Sequence, residues 1–141
     1  MSKLEEIPVT LESGTSPGQI PAILTELRVK LKTLLGEGRG DTIDLRSLPL
    51  HPDDHALLRE TLGRGEIHAS LDALGATEIY ETAIAGIWWV THYNSRDENI
   101  AEYIEITTLP EILKTDPQDI EQGERQLQQL IAGLTPDRDS R

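Results

Sequence analysis

The sequence contains no cysteine and no phenylalanine, and its 141 residues include a single methionine. Without thiols the chain forms no disulfide and supplies no thiolate ligand, which excludes a cysteine zinc site or an iron–sulfur cluster held by this chain itself. A domain of this length can bury a sizeable core without such staples. Long hydrophobic runs are missing too. No stretch approaches the roughly 20 apolar residues that cross a bilayer, and the opening residues carry Glu5 and Glu6 where a signal peptide has its apolar core. The expectation is a protein that stays in the cytoplasm, where it is made.

Bases are scarce. Thirteen Lys and Arg face 25 Asp and Glu, for a net charge of −12. The imbalance grows along the chain, with 11 acids against 8 bases in residues 1–70 and 14 against 5 in residues 71–141. Such a surface repels phosphate backbones and anionic membranes, so neither nucleic acid nor membrane is expected as a partner. A basic protein is the complementary one. Between Asp97 and Glu124 the only base is Lys114, and Glu98, Glu102, Glu105 and Glu111 are among the acids around it.

The periodicities that are present predict an α+β fold of order α-β-α-β-β-β-α. Residues 1–18 read as a flexible N-terminal arm, residues 19–134 as one domain, and residues 135–141 as a disordered tail. Ile20, Ile23, Leu24, Leu27, Leu31, Leu34 and Leu35 recur at helical spacing before Gly36 and Gly38. Asp41–Leu48 alternates like a strand. His51-Pro52-Asp53-Asp54 opens a helix that carries Leu57, Leu58 and Leu62 to Gly63. Strands are expected over 66–71, 76–93 and 100–107, and their short connections require an antiparallel meander with helices packed on one face. Pro117–Leu134 reads as an amphipathic helix.

Chemistry-bearing patterns are sparse. His51 and His55 stand four apart, but Pro52 follows His51 and leaves it outside the helix, and the H-E-x-x-H pattern is absent. There is no G-x-S-x-G elbow, and neither glycine cluster matches a phosphate loop. Neither a catalytic residue, a cofactor nor a metal is expected. The segment Ala76–Tyr93, read as a single strand, places Tyr80 and Trp88 on one face and Trp89 on the other, and both faces are apolar. Either helices cover both faces, or a partner covers one of them.

Three stretches, in order, carry a resemblance. Gly63-Arg64-Gly65-Glu66-Ile67 is followed by Glu81-Thr82-Ala83-Ile84-Ala85-Gly86-Ile87-Trp88, then by Tyr103-Ile104-Glu105-Ile106 with Pro110 beyond. The order resembles the C-terminal region of HupH/HyaF-type hydrogenase expression proteins, with the pattern G-x-G-E-V, E-T-x-x-x-G-V-W and I-E-V before a proline. The resemblance implies an accessory maturation chaperone or scaffold, not an enzyme. Its implied partners are the immature iron–sulfur small subunit of a nickel–iron hydrogenase, held before export, and other maturation proteins. It supplies no catalytic residue. Partner contact is expected at Trp88, Tyr80, Glu81, Glu102 and Glu105. Two other readings stay open: a small enzyme with an acidic cleft around Glu81, Glu102 and Glu105, and a homo-oligomer joined through its apolar sheet face.

Overall fold

A computed structural model describes residues 19–136; the expected arm at 1–18 and residues 137–141 of the expected tail lie outside the described residues. Helix α1 (Gln19–Glu37) buries Ile20, Ile23 and Leu27 along the predicted stripe, while Leu35 at its end is exposed. Gly38, at φ 70°, closes it by donating its N–H to the Leu34 carbonyl at 2.9 Å, a left-handed conformation that glycine adopts without steric cost. Helix α2 (Pro52–Leu62) begins as its sequence requires. His51 caps it, accepting the Asp53 N–H on Nδ1, Pro52 occupies the first turn, and Asp53 and Asp54 face the positive end of the helix dipole.

Five strands form one antiparallel sheet of order β1-β5-β4-β3-β2: β1 (Asp41–Asp44), β2 (His68–Asp72), β3 (Ala76–Glu81), β4 (Ile87–Tyr93) and β5 (Asn99–Ile106). The meander and the α+β class stand as expected. Two details are corrected. The first strand stops at Asp44, whose carboxylate accepts the Arg46 N–H and turns the chain into a short 3-10 helix, Leu45–Ser47. The predicted strand 76–93 is two strands joined by a turn at 82–86, so the order is α-β-α-β-β-β-β-α.

That turn resets the side-chain parity. Tyr80 pairs with Trp89, and Glu81 pairs with Trp88. Tyr80, Ile87, Trp89, Ile104, Ile106 and Ile43 therefore share the face that packs on Ile20, Ile23 and Leu27 of α1 and Leu58 and Leu62 of α2. Ile79, Trp88 and Val90 point the other way and are also buried. Among the described residues, neither face of β4 is left as an exposed apolar row, since Ile87 to Thr91 are buried without interruption.

The chain divides into two compact units at Thr108/Leu109. The second unit holds a 3-10 turn (Glu111–Leu113) and helix α3 (Pro117–Leu134), which Asp116 caps by accepting the Gln118 N–H at 2.8 Å. The predicted bounds of α3 are met, and the helix has no buried residue.

Candidate functional site

The three motif stretches meet at one corner of the first unit. Gly63, at φ 67°, ends α2, and the strap behind it is tied to the 82–86 turn at successive backbone positions. Ala83 donates to the Leu62 carbonyl at 2.9 Å, Gly65 donates to the Glu81 carbonyl at 2.7 Å, and Glu81 donates to the Ile67 carbonyl at 3.0 Å. The strap lies so close that a Cβ on Gly65 would stand 2.7 Å from the Thr82 carbonyl oxygen. Gly65 is required by this approach, not by its backbone angles.

Thr82 makes the turn without the usual polar sequence. Its hydroxyl donates to the Ile87 carbonyl at 2.9 Å and accepts the Ile84 N–H at 3.1 Å. Glu81 accepts the Gly86 N–H at 3.1 Å, and Gly86 itself sits at φ 89°. The third stretch ends against the same turn, since Thr107 donates to the Gly86 carbonyl at 3.0 Å and accepts the Trp88 indole N–H at 3.1 Å. The result is a rigid turn that carries the aliphatic side chains of Ala83, Ile84 and Ala85 in place of polar ones.

Beside the turn, α1 leaves two adjoining apolar clefts that share Leu31. One, of about 270 Å³, is lined by Leu24, Leu27, Arg28, Leu62, Ile84 and Ile87. The other, of about 410 Å³, is lined by Leu34, Leu35, Ala85, Gly86 and Thr108. Leu35 and Ile84 are exposed here. A groove of this composition holds an aliphatic segment of a partner and has no converging acid, base or nucleophile for catalysis.

A second constellation lies on the helix-covered face. The Glu102 carboxylate is buried and accepts the Trp89 indole N–H at 2.7 Å. His55 Nε2 lies 2.8 Å from it and donates, because an ionised carboxylate only accepts. Asn99 and Thr91 reach it at 3.4 Å, and the Arg59 guanidinium at 3.6 Å. Burial pushes the Glu102 carboxyl up, but the N–H donors of Trp89 and His55, the His55 charge and Asn99 outweigh it and hold the group below the usual glutamate value. Arg59 lies 5.2 Å above the Trp89 ring, and Arg64 lies 4.1 Å above Tyr80, which stacks on Trp89. Every bond of the carboxylate is used within the fold, so the constellation fastens α2 to the sheet.

The expected contact residues are thus distributed differently. Trp88 and Tyr80 are both buried, on opposite faces, and do not form an outward pair. Glu102 is enclosed on the helix side, while Glu81 and Glu105 flank Trp88 on the other face and are partly exposed. The three glutamates do not converge, which removes the acidic cleft proposed for an enzyme. The groove along Leu24, Leu31, Leu35 and Ile84 was not anticipated. Its visible signal was the leucine stripe itself, which runs on through Leu31, Leu34 and Leu35 past Leu27, the last buried residue of α1.

Comparison with known proteins agrees with the convergence of the motifs. Residues 19–134 match the family model described as the C-terminal conserved region of HupH hydrogenase expression protein. The hydrogenase expression/formation protein HupH of Rhodobacter capsulatus is 32% identical over 114 residues, which cover 81% of this chain and 41% of that protein. The hydrogenase expression/formation protein HoxQ of Cupriavidus necator is 30% identical over 125 residues, covering 86% and 44%. The chain therefore spans about two fifths of the length of these curated relatives. A solved structure, the hydrogenase expression protein HupH from Thiobacillus denitrificans, superposes with a TM-score of 0.80 at 36% identity, covering 84% of this chain and 98% of that one.

Proposed function

The chain belongs to the HupH hydrogenase expression protein family, whose C-terminal conserved region it carries, and from that premise we propose that it is a non-catalytic accessory protein of hydrogenase maturation. Its task in this reading is to hold an immature hydrogenase small subunit as chaperone or scaffold. The observation that carries the proposal is the corner where the three family motifs close on one another and present an apolar groove beside α1. The motifs build a backbone platform rather than an acid–base pair, which suits binding. The groove supplies residence time through aliphatic contacts, and the acidic surface, Glu105 and Glu81 included, speeds encounter with a basic segment. No helix among the described residues is long and apolar enough to cross a membrane.

The test is binding of purified small subunit, with and without its export signal, to wild type, Ile84→Asp, Leu35→Asp and Glu105→Lys. Both aliphatic positions are exposed, so the folded state tolerates the change. Loss of binding in the two Asp variants, mainly through faster release, is the expected result. Charge reversal at Glu105 slows association and weakens its salt dependence. Unchanged binding in all three variants places the contact elsewhere, and no binding by wild type removes the small subunit as client.

A further inference from the structure

Helix α3 differs from α1 and α2 in one respect. Ile120, Leu127, Leu130, Ile131 and Leu134 are each at least 60% exposed, although they lie on one side of the helix. Ile120, Leu127 and Leu134 recur every seven residues, Gly123 and Leu130 occupy the intervening seam, and Ile131 flanks it. This is the spacing of a two-helix seam, not of a helix meant for water. We propose that α3 pairs antiparallel with α3 of a second copy of this chain, with Leu127 at the two-fold axis.

The occupant follows from charge. A molecule of net charge −12 repels its own copy over most of its surface. On α3, however, residues 126–134 carry no charge at all, and glutamines flank the apolar stripe. The acids of α3, Asp119, Glu121 and Glu124, are confined to its N-terminal half. A parallel pair sets those acids against one another. An antiparallel pair sets each acidic half beside the uncharged half of its partner and opposes the helix dipoles. Volume agrees with charge: with Leu127 at the axis, Gly123 faces Ile131 of the other copy, and a Cβ on Gly123 meets nothing within 4 Å. Five aliphatic side chains from each copy put the interface near the lower end of stable ones, roughly 1,200 Å² in total. Association is then concentration-dependent.

The experiment uses the full chain, whose lack of cysteine gives a clean background. Sedimentation across a wide concentration range shows a monomer–dimer equilibrium for wild type, and Leu127→Glu raises the dissociation constant by about tenfold or more, with an unchanged circular dichroism spectrum and an unchanged melting temperature at concentrations where wild type is itself monomeric. Orientation is read by cross-linking. Ile120→Cys and Leu134→Cys each remain uncross-linked alone under mild oxidation and form a disulfide heterodimer when mixed. Cross-linking of either variant with itself, or none on mixing, overturns the antiparallel pair. A wild type that stays monomeric at every concentration overturns the dimer, and loss of small-subunit binding in Leu127→Glu would then assign this face to the client.

Discussion

Trp88 and Trp89 are neighbours in the chain, and both are buried, yet they occupy different kinds of interior. Trp89 stacks on Tyr80, lies edge-on to His55 at 5.5 Å, sits under Arg59 and donates to the one deeply buried glutamate among the described residues. Trp88 lies between Ile79, Val90 and the flanking glutamates, with one indole bond to a backbone carbonyl. Equal burial therefore does not mean equal consequence. On one face an aromatic is the keystone of a charged network, where removing a partner strands a carboxylate. On the other it fills space and ties two strands.

The largest effect that tests this contrast is Trp89→Ala against Trp88→Ala. Each opens a cavity worth about 3–5 kcal/mol, and Trp89→Ala is expected at the upper end because it also removes a donor from Glu102. Equal losses in denaturant titration would erase the distinction. Next comes Gly86→Val, at the turn that sets which of the two indoles shares the face of Tyr80. Its φ of 89° and a Cβ position 3.2 Å from Leu31 Cδ2 predict a loss of about 2 kcal/mol. A variant as stable as wild type shows that the turn tolerates a side chain.

Glu102→Gln is expected to cost about 1–2 kcal/mol near neutral pH, since the shape survives and the charge-assisted bonds weaken. The pH dependence sharpens it. Because the folded carboxyl is held below its ordinary value, its contribution is complete above about pH 4.3 and is lost as the pH falls through the folded value. The gap between wild type and variant should therefore narrow on acidification through the folded value. The smallest effect belongs to an exposed pair. Lys30 bridges Asp41 and Glu26 at the surface, and Lys30→Ala should change stability by no more than about 0.5 kcal/mol, less still in high salt.

Helix periods, caps and the meander were legible in the residues because each rests on local chemistry: Pro52 behind a capping His51, Gly63 after Leu62, polar residues between β4 and β5. The turn at 82–86 was not, because Thr82-Ala83-Ile84-Ala85-Gly86 is as apolar as the strands beside it. A single hydroxyl and one glycine replace the polar turn residues that announce a reversal. That one omission reversed the parity of everything after it, pairing Tyr80 with Trp88 when its neighbour is Trp89. The bonds of Glu102 were out of reach for another reason. His55 and Glu102 are 47 residues apart, and only the tertiary fold makes them neighbours.

The sheet order has a consequence for the way the chain acquires its structure. Strands β2 to β5 pair with their neighbours in sequence, whereas Asp41–Asp44 must wait for Tyr103–Ile106. Closing so long a loop is the entropically expensive step, so β1 is expected to join the sheet last. Pulse-labelled hydrogen exchange should show its amides gaining protection after those of β3 and β4, and simultaneous protection would contradict this order. During synthesis α1 and β1 emerge well before the strand that completes their side of the core, leaving Ile23, Leu27 and Ile43 without Ile104 and Ile106 until most of the chain has been made.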